Sequence, residues 1–447
     1  MWPWLFTRNR RLLQLWQSAM APCGMDEVET SGLWGWRAKL TARSGPIAVR
    51  ITDADGKRVR VEVEGPEGFS VLKLRRQPFL LRAPEIEVGD GPFDDQFFVD
   101  GPVGPVRARL DGTLRGQLIR TNADCKALEI GGGKLRAEMR EEALPRVLPL
   151  LLEIGRQLAE PVDVEGRIAN NVRRDPKAKV RLFNLLLLVR ERPGAPETLE
   201  VLRTACSDRS SEIRLRAAIE LGEEGRDILL KLAETSPDDA TRARVISHLG
   251  SHLPLERVRH ILSRSWRKSQ VQTARACVET LGHRGAAAVR VLAKVMAERT
   301  GELATAAARA LGTTGEAAAE PPLLQALQSE DKDLREAATA ALGRVGTAAA
   351  VQPLQEAAER FWLDPSFRQA ARQSIGEIQA RLEGASPGQL SLAGAEEGQL
   401  SLATEAGQLS LATEAGQLSL APHEAGLPEE PRQPSQREPG KPAGRPV

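Results

Sequence analysis

The spacing of apolar positions changes twice along this chain. Near the start it has the 3.6-residue period of a helix, with Leu5, Leu12, Leu13, Trp16 and Met20 on one face. That predicts a first helix from about Arg8 to Met20. The period then drops to two. Ile47, Val49 and Ile51 alternate with other residues, as do Val59, Val61 and Val63. Between them, Asp53-Ala54-Asp55-Gly56 carries the Asp-Gly signal of a hairpin turn. Further strands are expected near Val71 to Leu74, Phe97 to Val99, Val106 to Leu110 and Ala127 to Ile130. Gly131-Gly132-Gly133-Lys134 reads as another hairpin turn. Val147, Leu150, Leu151, Ile154 and Leu158 then restore a helical stripe, with Pro145 and Pro149 placed for its first turn. Residues 1 to 165 read as an α+β domain.

From about residue 170 to 383 the period stays helical and the pattern repeats. Leu-Gly or Ile-Gly pairs end at Gly222, Gly250, Gly282, Gly312, Gly343 and Gly376, in steps of 28, 32, 30, 31 and 33 residues. That is the length of one helix pair, and stacked pairs make an α-solenoid. Aligning the copies on this Gly exposes three more columns. Eight residues earlier stand Arg214, Arg242, Arg335 and Arg368, with Ala274 and Ala304 in the other copies. Five earlier stand Ala217, Val245, Cys277, Ala307, Ala338 and Ala371. Twelve earlier stand the helix-capping types Ser210, Asp238, Thr300, Asp331 and Asp364, and only Gln270 departs. The cleanest copy puts Leu334, Ala337, Ala338, Ala341, Leu342 and Val345 on one face. The Gly is expected to end each helix in a left-handed turn. Asp175, Arg181 and Leu188 match an earlier copy, so about seven helical units result.

This run of Asp, Arg, Ala-Ala and Leu-Gly columns resembles HEAT repeats, especially the short form first named for phycobilisome lyases. The resemblance covers about 210 residues. It implies a solenoid, and an arginine that packs between repeats and pairs with acids such as Asp331, Asp333 and Asp364. A second resemblance is shorter. Gly89-Asp90-Gly91-Pro92-Phe93-Asp94-Asp95-Gln96-Phe97-Phe98-Val99 is similar to a G-D-x-x-F-D-x-x-F-x-V stretch of uncharacterised bacterial domains, and implies no activity.

Residues 384 to 447 form a tail, expected to be disordered, in which Gly-Gln-Leu-Ser-Leu-Ala occurs four times, from Gly388, Gly398, Gly407 and Gly416. Beyond Pro422 it is rich in Pro, Glu and Arg, a composition that predicts disorder. Gln-Leu-Ser-Leu is similar to the start of the peptide that docks bacterial replication proteins onto the sliding clamp. The large apolar residue that should end that peptide is Ala393, Ala403, Ala412 or Ala421 here. The Leu-x-Leu pairs also suit addition of a short strand to an open sheet edge.

Composition narrows the function classes. The net charge of +2 makes no statement about nucleic acid for the whole chain. The repeats are uneven, however. From Arg173 to Arg299, 25 Lys or Arg face 16 Asp or Glu, a net of +9; from Thr300 to Glu383, 8 face 12, a net of −4. In the basic half Arg257, Arg259, Arg264, Trp266, Arg267 and Lys268 cluster, as a partner-binding surface or a nucleic-acid backbone would require. Cys23, Cys125, Cys206 and Cys277 are far apart, so neither a zinc site nor a disulfide framework is indicated. His248 and His252 have a metal-ligand spacing, but Gly250 between them interrupts the helix that would align them. Asp90, Asp94, Asp95 and Asp100 could surround a hard cation. No apolar run approaches a membrane span, no secretory signal precedes the repeats, and a cytoplasmic location is expected. No catalytic or cofactor fingerprint occurs. The expectation is a non-catalytic scaffold for protein partners, without cofactor or metal. A nucleic-acid binder is the first alternative, and an enzyme or metal site in the N-terminal domain the second.

Overall fold

A computed structural model describes residues 2–31, 38–76, 86–381, 390–392 and 400–402. It is mainly helical, with a sheet near the N-terminus. The chain divides into two compact units, residues 1–277 and 278–447.

The first unit opens with α1 (Trp2–Met20), β1 (Asp26–Ser31), β2 (Lys39–Ser44), β3 (Ile47–Asp53) and β4 (Arg58–Glu64). It continues with β5 (Lys73–Arg76), α2 (Gly91–Asp94), β6 (Phe97–Asp100), α3 (Val103–Arg109), α4 (Gly112–Asp124), β7 (Cys125–Gly131), β8 (Lys134–Arg140) and α5 (Leu144–Ala159). The strands make one antiparallel sheet in the order β1-β2-β3-β4-β8-β7-β5-β6. The alternation of β3 and β4 buries Ile47, Val49, Ile51, Val59, Val61 and Val63. The opposite face carries charged pairs across strands, such as Arg50–Glu62 and Arg60–Glu138. A two-layer α+β arrangement follows, with one wet face. The buried face packs with Leu12, Leu13, Trp16 and Met20 of α1 and the apolar stripe of α5 in one core. At Gly155 of α5 an added Cβ would stand 2.8 Å from Val63, so the missing side chain lets that helix close on the sheet. Both expected hairpins form. The first closes through residues 54–57 with Gly56 at φ +87, and in the second Gly132 and Gly133, at φ +61 and +76, have the signs a tight primed turn needs.

Two local expectations fail. Val106 to Leu110 is not a strand. Val106 and Leu110 are four apart, so one helix face buries both, and Pro102 and Pro105 start that helix, α3. Pro149 lies inside α5, beyond its first turn, where only Pro145 stands.

The first unit continues with α6 (Val164–Arg174), α7 (Ala178–Glu191), α8 (Pro196–Ala205), α9 (Ser211–Glu220), α10 (Arg226–Thr235), α11 (Asp239–Leu249), α12 (Leu255–Arg267) and α13 (Val271–Gly282). The division between units falls inside α13. The second unit holds α14 (Ala286–Glu298), α15 (Glu302–Thr313), α16 (Glu320–Ala326), α17 (Lys332–Val345), α18 (Val351–Arg360) and α19 (Pro365–Arg381). In the tail, β9 (Leu390–Leu392) and β10 (Leu400–Leu402) come from the first two Gly-Gln-Leu-Ser-Leu-Ala copies. They pair antiparallel with Ser391 opposite Ser401. The disorder expected over 384–447 and the clamp-peptide ends at Ala393, Ala403, Ala412 and Ala421 otherwise fall outside the described residues, as does the side chain of Leu5. No helix among the described residues is long and apolar enough to cross a membrane.

Candidate partner-binding surfaces

The arginine column points inward. In the first unit, Arg181 Nη1 donates to the Asp175 carbonyl at 2.8 Å, Arg214 Nη1 to the Asp208 carbonyl at 2.6 Å, and Arg242 Nη2 to the Ser236 carbonyl. In the second, Arg335 Nη1 donates to the Ser329 carbonyl at 2.9 Å. Each acceptor lies six residues upstream, in the turn before the helix. In three of these arginines the same guanidinium then reaches the following repeat. Arg181 grips Asp208 through two bonds of 2.8 Å, Arg242 donates to Gln270 Oε1 at 2.6 Å, and Arg335 stands 3.9 Å from Asp364. Arg368 is half-buried. Arg181, Arg242 and Arg335 tie turns together, which leaves little of them to meet a phosphate. Asp331 and Asp333 are not their partners; Asp331 caps its own helix at the Asp333 and Leu334 N–H groups.

The capping column is correct at Asp238, Asp331 and Asp364, each of which accepts from a first-turn N–H. It fails at Ser210, whose side chain makes no capping bond, and at Thr300, because Gly301 with φ +65 holds that place. The departure at Gln270 has an explanation. Asp239 of the preceding repeat accepts from Gln272 N and Thr273 N at 3.0 Å each, so α13 is capped from its neighbour. Gln270 is thereby free to receive Arg242.

The glycine column serves two purposes. Gly222 and Gly250 have φ +60 and +46 and end their helices, as a C-terminal glycine does. Gly282, Gly312, Gly343 and Gly376 lie within helices and end none by a left-handed turn, which corrects the expectation for those copies. A Cβ on Gly282 would stand 3.1 Å from Ala310 Cα, and one on Gly312 2.7 Å from Ala341 Cα. On Gly343 it would meet Ser374 Oγ at 3.0 Å and Glu377 Oε2 at 2.5 Å. The glycine of one helix thus receives the next. Gly376, in the last of these helices, has open space around it.

The basic cluster on α12 divides in two. Arg257, His260, Arg264, Arg267 and Lys268 recur at helical spacing on one side, while Arg259 and the half-buried Trp266 fall on the other. Arg257 pairs with Glu234 at 3.3 Å, and Arg264 donates to the Glu234 carbonyl at 3.5 Å, so both attend to the end of α10. Arg259 pairs with Glu256 at 3.0 Å. Arg267 donates, among the described residues, only to the Ser263 carbonyl of its own helix, and both it and Lys268 are exposed. The helix finishes with Ser269 at φ +56, a positive value outside glycine, closed by Gln270 N on the Ser265 carbonyl at 2.9 Å. His248 ends α11 and His252 lies past Gly250, so the two share no helix face.

The acidic stretch around Gly89 to Gly101 is a joint. Phe93 and Phe97 are buried with ring centroids 5.0 Å apart. Asp94 accepts from Val88 N at 3.0 Å and Gly89 N at 2.8 Å. Burial nevertheless raises its pKa above the usual carboxylate value. Asp90 accepts from Arg115 Nε at 3.0 Å, and Arg115 also grips Asp175, at the start of the repeats, through bonds of 2.9 and 3.0 Å. Arg115 is 1% exposed. Burial opposes its charge, but the bonds it donates to Asp175 and then Asp90 outweigh burial and raise its pKa. Asp100 pairs with Lys73 at 3.3 Å. Asp90, Asp94 and Asp100 therefore turn to different partners, and no group of three metal-ligating side chains gathers among the described residues. Arg115 escaped the sequence reading because nothing in its neighbourhood marks a residue whose partners lie 25 and 60 positions away.

Residues 289–376 match the family model for HEAT repeats. That segment carries HEAT repeats. Comparison with curated proteins gives no match. Among solved structures, the chain is similar to human deoxyhypusine hydroxylase in complex with glycerol, at 16% identity and a TM-score of 0.22, covering 48% of this chain and 96% of that one. The HEAT match contains the Gly312–Ala341 and Gly343–Ser374 contacts and the Arg335 turn.

Proposed function

We propose that this HEAT-repeat protein is a non-catalytic scaffold for protein partners. One observation carries the reading: the arginines aligned along the repeats are spent inside the stack, while Arg267 and Lys268 stay exposed on one side of α12. A helix face with long cationic side chains and a rim of paired charges suits an acidic protein surface. The repeats belong with the short HEAT form, on their Arg and Leu-Gly columns, and the sheet-bearing segment with the bacterial domains that share the Gly89 to Val99 pattern. The surroundings of Asp90 and Asp94 favour a structural part for that segment over a catalytic one.

Cross-linking mass spectrometry on the full chain in its native cell tests the proposal. Partner cross-links should cluster around α12, and the double substitution Arg267→Glu, Lys268→Glu should remove them. Nucleic-acid binding is the second reading, favoured by the same stripe. Its sign would be a gel shift on mixed DNA that weakens steeply with salt and is lost in the same variant. Capture of no protein, together with such a shift, would replace the scaffold reading.

A further inference from the structure

Trp362 and Leu363 are the two most exposed large apolar side chains among the described residues, at 63% and 76%. They sit side by side in the turn between α18 and α19. The turn itself is pinned on both sides. Phe361 lies with its ring centroid 3.8 Å from the Arg335 guanidinium and 5.6 Å from the Phe367 ring. Asp364 caps α19 at Phe367 N, 3.2 Å away, and pairs with Lys332 at 3.1 Å. The Ser366 hydroxyl, then that cap and Lys332, hold its carboxyl far below the usual range. Two fixed residues therefore hold two apolar ones out in water, where exposure of a neighbouring Trp and Leu is unfavourable and calls for a cover.

Arg360 reaches Gln328 at 2.5 Å and Glu330 at 3.6 Å, which brings the preceding turn alongside. Glu330, Glu336 and Asp364 pair there with Arg360 and Lys332 over the buried Arg335, and the same two turns and the helix ends beside them also carry Asp331, Asp333 and Glu359. This acidic rim lies in the half of the array with net charge −4. The Leu-bearing part of this chain's tail is a poor cover, and the tail's Arg432, Arg437, Lys441 and Arg445 come only beyond Pro422, where apolar residues are scarce. Residues 384–421 contain Glu396, Glu397, Glu405 and Glu414 and no Lys or Arg.

We propose that the Trp362–Leu363 turn is a docking point for a basic amphipathic segment of a partner protein, its apolar side on the Trp and Leu and its cations on the acidic rim. The proposal rests on the scaffold reading and assigns it a second contact, separate from α12. A pre-organised Trp is the residue type that most often dominates such an interface.

The test uses the full chain and two fluorescein-labelled 18-residue amphipathic peptides, one of Leu and Lys, the other of Leu and Glu, read by anisotropy. The Leu-Lys peptide should bind at least tenfold tighter than the Leu-Glu peptide. Trp362→Ala with Leu363→Ala should weaken it at least tenfold, and Glu330→Lys should weaken it too. Equal binding of the Leu-Lys peptide by wild type and the double variant overturns the proposal while leaving cross-links at α12 intact. Hydroxyl-radical footprinting of the free full chain should oxidise Trp362. Protection there means the chain already covers its own turn, and also overturns the proposal.

Discussion

Three glycines of one sequence column should respond to alanine in three different ways. At Gly312 the new Cβ would lie 2.7 Å from both Cα and Cβ of Ala341, and the Cα cannot swing aside. The neighbouring helix has to move, an overpacking cost of about 1–3 kcal/mol. Alanine also gains about 1 kcal/mol over glycine in helix propensity. Gly312→Ala should therefore be neutral to destabilising by about 2 kcal/mol, the difference of those two terms. At Gly376 nothing lies within 4 Å, so only the propensity gain survives and the variant should be stabilised by about 1 kcal/mol. Propensity cancels between the two, and the gap of about 1–3 kcal/mol is the packing contribution alone. Gly222 also has open space, but its φ is +60; alanine there should cost about 1–2 kcal/mol from the backbone. Urea unfolding followed by circular dichroism, with melting temperatures as a second readout, orders the variants. The expected order is Gly376→Ala above wild type and both Gly312→Ala and Gly222→Ala below Gly376→Ala. If Gly312→Ala proves as stable as Gly376→Ala, helix-to-helix approach at this column is refuted.

Arg115→Met should destabilise the first unit by about 3–5 kcal/mol, because it leaves Asp90 and Asp175 buried without their cation; chemical denaturation measures it. Asp208 has a depressed pKa; burial opposes this, but the Arg181 bonds prevail. Its contribution is therefore full above the unfolded value of about 4 and lost as pH falls through the folded one. Melting temperature should drop below about pH 4, and Asp208→Asn should flatten that drop. Burial pushes the Cys277 thiol up to about 12 and Cys125 to about 11, so iodoacetamide at pH 8 should label neither in the native chain and both after unfolding, by mass spectrometry.

How far the residues announce this structure depends on distance along the chain. Helix pairs were legible because Arg335, Ala338, Leu342 and their counterparts recur within one turn or two of each other. The purpose of the glycine was not. A left-handed turn and a close neighbour both exclude a Cβ, so Leu221-Gly222 and Leu311-Gly312 look alike until the next helix is in view. Val106 and Leu110 suit either a strand or a helix, and only the flanking prolines separate the two. The α12 cluster was legible as charge, but its division into a spent and an exposed half depends on Glu234, a residue of another helix. Trp362 and Leu363 resemble core residues in the sequence; their exposure follows from Phe361 and Asp364 being held first.

The buried contact of Arg115 with Asp175 bears on the order in which the chain matures. A stack of repeats presents an unsatisfied end to water and needs a cap. Here the sheet-bearing segment, which leaves the ribosome before the repeats, offers Asp90, at the start of α2, and Arg115, on α4, to the first turn of the array as soon as Asp175 emerges. The N-terminal segment is thus a template on which the array can start to wind, one repeat after another, from a fixed and already charged-matched platform.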